Sequence, residues 1–96
     1  MAASRPSTIT FAISGPLERE DLPALYERVC ALLGGAGAEL ALCDVTGVGA
    51  DAVTVDALAR LQLAARRNRC RIQLEHASDD LRSLIAFMGL EDVLPG

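Results

Sequence analysis

Side chains able to do chemistry crowd into one short stretch of this 96-residue chain. Between residues 44 and 56 it places Asp44, Thr46, Asp51, Thr54 and Asp56, with Gly47 and Gly49 in the loop and Val53 and Val55 either side of the second threonine. The apolar run Leu40-Ala41-Leu42-Cys43 leads into Asp44, so the stretch reads as a strand, a Gly-rich turn and a helix start. In open α/β sheets the functional crevice lies where strands end at their carboxyl side and helix N-termini point outward. Thr54 carries a hydroxyl in a first helical turn, with Asp51 and Asp56 close on either side in sequence.

Other chemistries find fewer parts. Gly47-Val48-Gly49-Ala50-Asp51-Ala52 fits Gly-x-Gly-x-x-Ala between a strand and a helix, and Glu75 ends the next strand, as in a dinucleotide site. Asp51 at the helix mouth would repel a pyrophosphate, and ordinary loop glycines also explain the pattern. Asp44 as a phospho-accepting aspartate would want further acids before it and a Lys, and the chain contains no Lys. With one histidine, His76, and no Ser in a nucleophile elbow, neither a triad nor a zinc site can be assembled. No catalytic residue, metal or cofactor is expected. Cys30, Cys43 and Cys70 show no Cys-x-x-Cys spacing and read as small buried hydrophobes.

The formal charge of −4 and the lack of a basic stripe with interleaved aromatics argue against a nucleic-acid partner. The basic cluster Arg66-Arg67-Asn68-Arg69 falls at a helix C-terminus, where cations suit the dipole. Apolar residues make up 51% and aromatics 3%, so the core must be aliphatic. So high an apolar share fits either a patch left open for a partner or parallel strands covered by helices. An odd cysteine count, with no apolar leader and no segment long enough to span a bilayer, predicts a cytoplasmic protein without membrane insertion.

The elements that must position these residues follow from periodicity. Residues 1–7 form a short polar tail and 8–96 one domain. Thr8 to Ser14 alternates as a half-buried strand ended by Gly15-Pro16. Asp21 and Pro23 open a helix whose apolar face is Leu22, Leu25, Tyr26, Val29, Leu32 and Leu33, and Gly34-Gly35-Ala36-Gly37 stops it. Residues 38–43 form a central strand apolar on both sides. A second helix runs from Asp51 or Ala52 to Arg67, its apolar wrap broken only by Asp56, Arg60, Gln62 and Arg66. Arg71 to Glu75 is a strand, and Ser78 caps a helix with Leu81, Leu84, Ile85 and Met88 buried and Gly89 as its left-handed stop. Strand-helix alternation predicts an α/β domain with a mixed or parallel sheet of about three to five strands and helices packed on it.

Asp44-Val45-Thr46-Gly47-Val48, the hydroxyl at Thr54, Leu58 and Leu61, Ala64-Ala65-Arg66-Arg67 and the strand Arg71 to Leu74 together resemble the STAS domain, the family of bacterial anti-sigma factor antagonists and the cytoplasmic domains of sulfate transporters. Ile13-Ser14-Gly15-Pro16-Leu17 resembles the family's Gly-x-Leu strand end, and Met88 to Leu94 its C-terminal Gly-Leu turn. In the antagonists the loop carries Asp-Ser-Ser-Gly, whose second Ser a kinase partner phosphorylates. Ungapped from Asp44, that Ser falls on Thr54, the Asp on Ala52, the first Ser on Val53 and the Gly on Val55. The resemblance implies a non-catalytic module that binds its partner through Asp44, Thr46, Gly47, Gly49, Asp51, Val53, Thr54, Val55 and Asp56, with Thr54 as candidate phosphoacceptor. The implied partner is an anti-sigma factor of the serine-kinase type. The alternative is a STAS subunit of a membrane transporter assembly, docking on an ATPase subunit without phosphorylation.

Overall fold

β1 (Thr8–Ala12), β2 (Leu40–Asp44) and β3 (Arg71–Glu75) lie side by side in chain order, every pair parallel, in the computed structural model, which describes residues 8–13, 15 and 17–95. The tail 1–7 and Ser14 and Pro16 of the strand-end motif lie outside the described residues. The register sets Thr10 beside Leu42 beside Gln73, and Phe11 beside Cys43 beside Leu74. Parallel neighbours require crossovers, which the helices supply: α1 (Leu22–Ala36) links β1 to β2 and α2 (Ala52–Arg67) links β2 to β3, while α3 (Asp79–Phe87) follows β3.

The helices cover one face of the sheet. Ala41, Cys43, Ile72 and Leu74 on that face are buried with Leu25, Val29 and Leu33 of α1, Val55, Leu58 and Leu61 of α2, and Leu81 and Ile85 of α3. The opposite face carries Thr8, Thr10, Leu40, Leu42, Arg71 and Gln73 and is open or half-covered. This corrects the expectation that β2 is covered on both sides. Its alternation of half-buried and buried residues is that of a one-sided strand, and Leu40 and Leu42 stay partly exposed.

Helix boundaries follow local chemistry with two departures. Asp21 stands at the α1 N-cap position, but a short 3₁₀ turn at Arg19–Asp21 runs straight into the helix, and the Asp21 carboxylate accepts from the Glu18 N–H at 3.3 Å instead. The helix also continues through Gly34 and Gly35 to Ala36, and Gly37, the last glycine of the expected stop, has the φ of +59° that makes the left-handed end. Ser78 caps α3 by accepting from Leu81 N at 3.1 Å, and Gly89 at φ +72° ends it, with Leu90 packing back on the core. Met88, expected in the buried stripe, is exposed because the helix ends at Phe87.

Gln62 departs most from expectation. Assigned by type to the polar face of α2, it is fully buried. Its Oε1 accepts from Ile72 N at 2.8 Å, and its Nε2 donates to Ile72 O at 2.8 Å and to Val93 O at 2.9 Å. The side-chain amide thus replaces a neighbouring strand on the outer side of β3 and ties down the C-terminal segment, whose Pro95 O accepts from Leu74 N at 3.0 Å.

Candidate functional site

The carboxyl end of β2 and the start of α2 build the site. Asp44 ends the strand, and its Oδ1 accepts from both the N–H (2.9 Å) and the hydroxyl of Thr46, folding the loop back on itself. His76 comes from the equivalent end of β3 with φ +61°, placing Nδ1 3.6 Å from Asp44 Oδ1. Thr46's two hydrogen bonds, with His76 adding a smaller share, hold the Asp44 carboxyl below its ordinary range. Behind it, burial pushes the Cys43 thiol up to about 12.

Asp51 takes an extended conformation and caps α2, its Oδ1 accepting from Thr54 N at 2.8 Å while its backbone oxygen accepts from Val55 N at 3.1 Å. The carboxylate therefore already uses a helix-mouth donor that a phosphate would need. A Cβ at Gly49 would lie 3.4 Å from Asp51 Oδ2, at the edge of ordinary van der Waals contact.

Thr54 itself faces inward. It is 0% exposed, flanked in sequence by half-buried Val53 and fully buried Val55, and its Oγ1 is buried without a hydrogen-bond partner. Its helix position therefore follows expectation, but the hydroxyl points away from solvent. The loop residues Thr46, Gly47 and Asp51 are exposed, as is Asp56, which pairs with Arg60 at 2.9 Å one turn on.

A shallow groove of about 540 Å³ runs beside this turn. Ala52, Val53, Asp56 and Arg60 of α2 line it with Arg19 of the 3₁₀ turn, Leu22, Pro23 and Tyr26 of α1, and Met88. The Tyr26 hydroxyl is buried there without a partner, and burial, with Asp56 adding to it, raises the phenol's pKa against the opposing pull of Arg60. Of the α1 residues in the groove, Leu22 and Tyr26 are legible in sequence only as apolar-face positions and Pro23 only as a first-turn residue; in the structure Leu22 and Tyr26 are half-buried. The structure thus joins Val53 and Asp56 to this groove, while Asp44 and Thr46 lie at the strand end, and Val55 belongs to the core.

Among the described residues no cluster of three or more His, Cys, Asp or Glu side chains could hold a metal ion, and no helix is long and apolar enough to cross a membrane. No curated protein matches the chain. Residues 1–95 match the family model described as "Mlab, STAS domain", which spans the β2-loop-α2 junction together with everything that positions it. The chain belongs to the STAS domain family.

Proposed function

We propose that this chain is a non-catalytic docking subunit that grips one protein partner through the α1–α2 groove and the exposed N-terminal turn of α2, without phosphorylation of Thr54. The partner in this reading is the ATPase subunit of a membrane transporter assembly. The observation that carries it is the burial of the Thr54 hydroxyl: a kinase reaches a side chain only after the first turn of α2 has been pulled off the core. The loss of the family's Asp-Ser-Ser-Gly around that position points the same way, since only the hydroxyl is kept. Anti-sigma antagonism switched at Thr54 is the competing reading, and it needs that turn to open. The nucleotide reading needs free donors at the α2 mouth, where Asp51 already takes the Thr54 N–H.

What remains on the surface suits docking. Val53 and Met88 offer apolar contact, Arg19 offers charge, and the Asp56–Arg60 pair sits at the rim. The test is affinity purification of the tagged chain from its own cells, with mass spectrometry of the bait and of what it retains. The expected result is a transporter ATPase retained by wild type, lost with Val53→Arg, and a bait unmodified at Thr54. Recovery of a kinase-type anti-sigma factor with phosphate on Thr54 overturns the proposal.

A further inference from the structure

The two edges of the sheet are finished differently. Outside β3, Gln62 takes both backbone groups of Ile72, and Pro95 accepts from Leu74. β1 has β2 on one side and, among the described residues, no strand on the other. Ile13 N donates to Asp44 O at 3.0 Å, so the alternation of a parallel strand turns the N–H and C=O of Thr8, Thr10 and Ala12 away from β2. Natural edges are blunted by charge, proline, bulges or a covering loop, and Thr8-Ile9-Thr10-Phe11-Ala12 contains no charge and no proline. Beside this strand Leu32, 41% exposed, overhangs an apolar groove of about 410 Å³ that Phe11, Leu25 and Val29 also line. Among the described residues, backbone and apolar flank are left open on the same side.

We propose that this edge pairs with β1 of a second copy of the chain, antiparallel about a two-fold axis through Thr10, so that two three-stranded sheets become one continuous sheet. The outward-facing residues fix the register. Thr10 meets Thr10 and Thr8 meets Ala12, each pair exchanging both N–H···O bonds. That register sets Ile9 opposite Phe11 of the second copy at the closely spaced positions on the helix-covered side, a favourable aromatic and β-branched pair between two side chains each copy alone leaves half-exposed. No charge opposes a like charge along the strand.

The flanking helices agree with it. α1 advances 1.5 Å per residue against about 3.3 Å for the strand, so roughly two helix residues pass for each strand residue. Ala12 lies beside Leu25 and Arg28, so Thr10 lies level with the turn around Leu32. The axis therefore carries each Leu32 toward the other copy's groove. It also brings each Arg28 to the last turn of the second copy's α1 around Gly34 and Gly35, where a cation meets the helix carbonyl ends and where a Cβ at Gly35 would find open space. The α1–α2 groove lies on the other flank of α1 and stays free in both copies.

Sedimentation velocity of the full chain over a concentration series tests this, with Thr10→Pro and Leu32→Glu alongside. Thr10→Pro removes an N–H that, among the described residues, bonds nothing within one copy, so circular dichroism of the dilute monomer should not change. Wild type should show a concentration-dependent monomer–dimer equilibrium, and each variant should weaken it by roughly tenfold or more in dissociation constant. If Thr10→Pro fails to fold, Leu32→Glu, on the helix surface, decides alone. A wild-type chain that stays monomeric at every concentration overturns the proposal. So does a dimer that Leu32→Glu leaves intact and Val53→Arg dissolves, which would place the interface in the α1–α2 groove.

Discussion

Gln62 and Ile72 exchange hydrogen bonds in both directions, Ile72 N to Oε1 and Nε2 to Ile72 O, each 2.8 Å long and fully buried. One side-chain amide thereby seals the outer side of β3. With its second Nε2 hydrogen going to Val93 O, the amide has every donor used.

Gln62→Leu keeps the volume but leaves the Ile72 N–H and C=O without partners in the core. It should cost about 3–5 kcal/mol of stability, since each buried group so abandoned costs about 1–3 kcal/mol. Urea unfolding measures the loss, and a change under about 1 kcal/mol would mean that water replaces the amide.

Thr54→Val removes a buried hydroxyl with no partner and keeps the β-branched shape. Stability should stay level or rise by up to about 1 kcal/mol, because the desolvation cost of the hydroxyl disappears. Thr54→Glu forces a carboxylate into the same site and should lower the melting temperature sharply, so its loss of partner binding would report misfolding. Calorimetry of the two variants separates these effects.

Asp44 titrates below its ordinary 3.8 because Thr46 donates twice to the ionised form. Its stabilisation is therefore present above that ordinary value and disappears as pH falls through the lower, folded-state value. Thr46→Val should move the Asp44 midpoint upward in an NMR titration of the carboxyl carbon. An unshifted midpoint would show that the hydroxyl bond contributes nothing to holding the charge.

Cys43, with its thiol pushed up to about 12 and no exposed surface, should resist alkylation at neutral pH until the chain unfolds. Cys30, only half-buried on α1, should react first, and mass spectrometry of peptides from a time course gives the order.

The sequence announced most of the scaffold because its signals are local. Apolar spacing in α1 and α2, Ser78 three residues before Leu81, and glycine at positions 37 and 89 each act within one turn of chain. Within the expected stop 34–37 only Gly37 ends α1: Gly34 and Gly35 are weak helix formers individually, but Leu33 anchors that turn in the core, and tertiary packing outweighs propensity. The direction of Thr54 and the burial of Gln62 were not legible. Both depend on how α2 is rotated against β3 and on a contact with Val93, thirty-one residues further along. A polar residue type carries no sign of which distant carbonyl will meet it.

The Gln62 clasp also imposes an order on assembly during translation. β1, α1 and β2 are complete once Asp44 has been made, and N-terminal units fold first as a chain emerges from the ribosome. The amide of Gln62 then waits for Ile72, and Nε2 and Leu74 wait longer still for Val93 and Pro95. A nascent chain stalled short of residue 93 would keep the Gln62–Ile72 clasp but lack the acceptors for the second Nε2 hydrogen and for the Leu74 N–H, leaving the outer side of β3 half finished and open to aggregation or a protease.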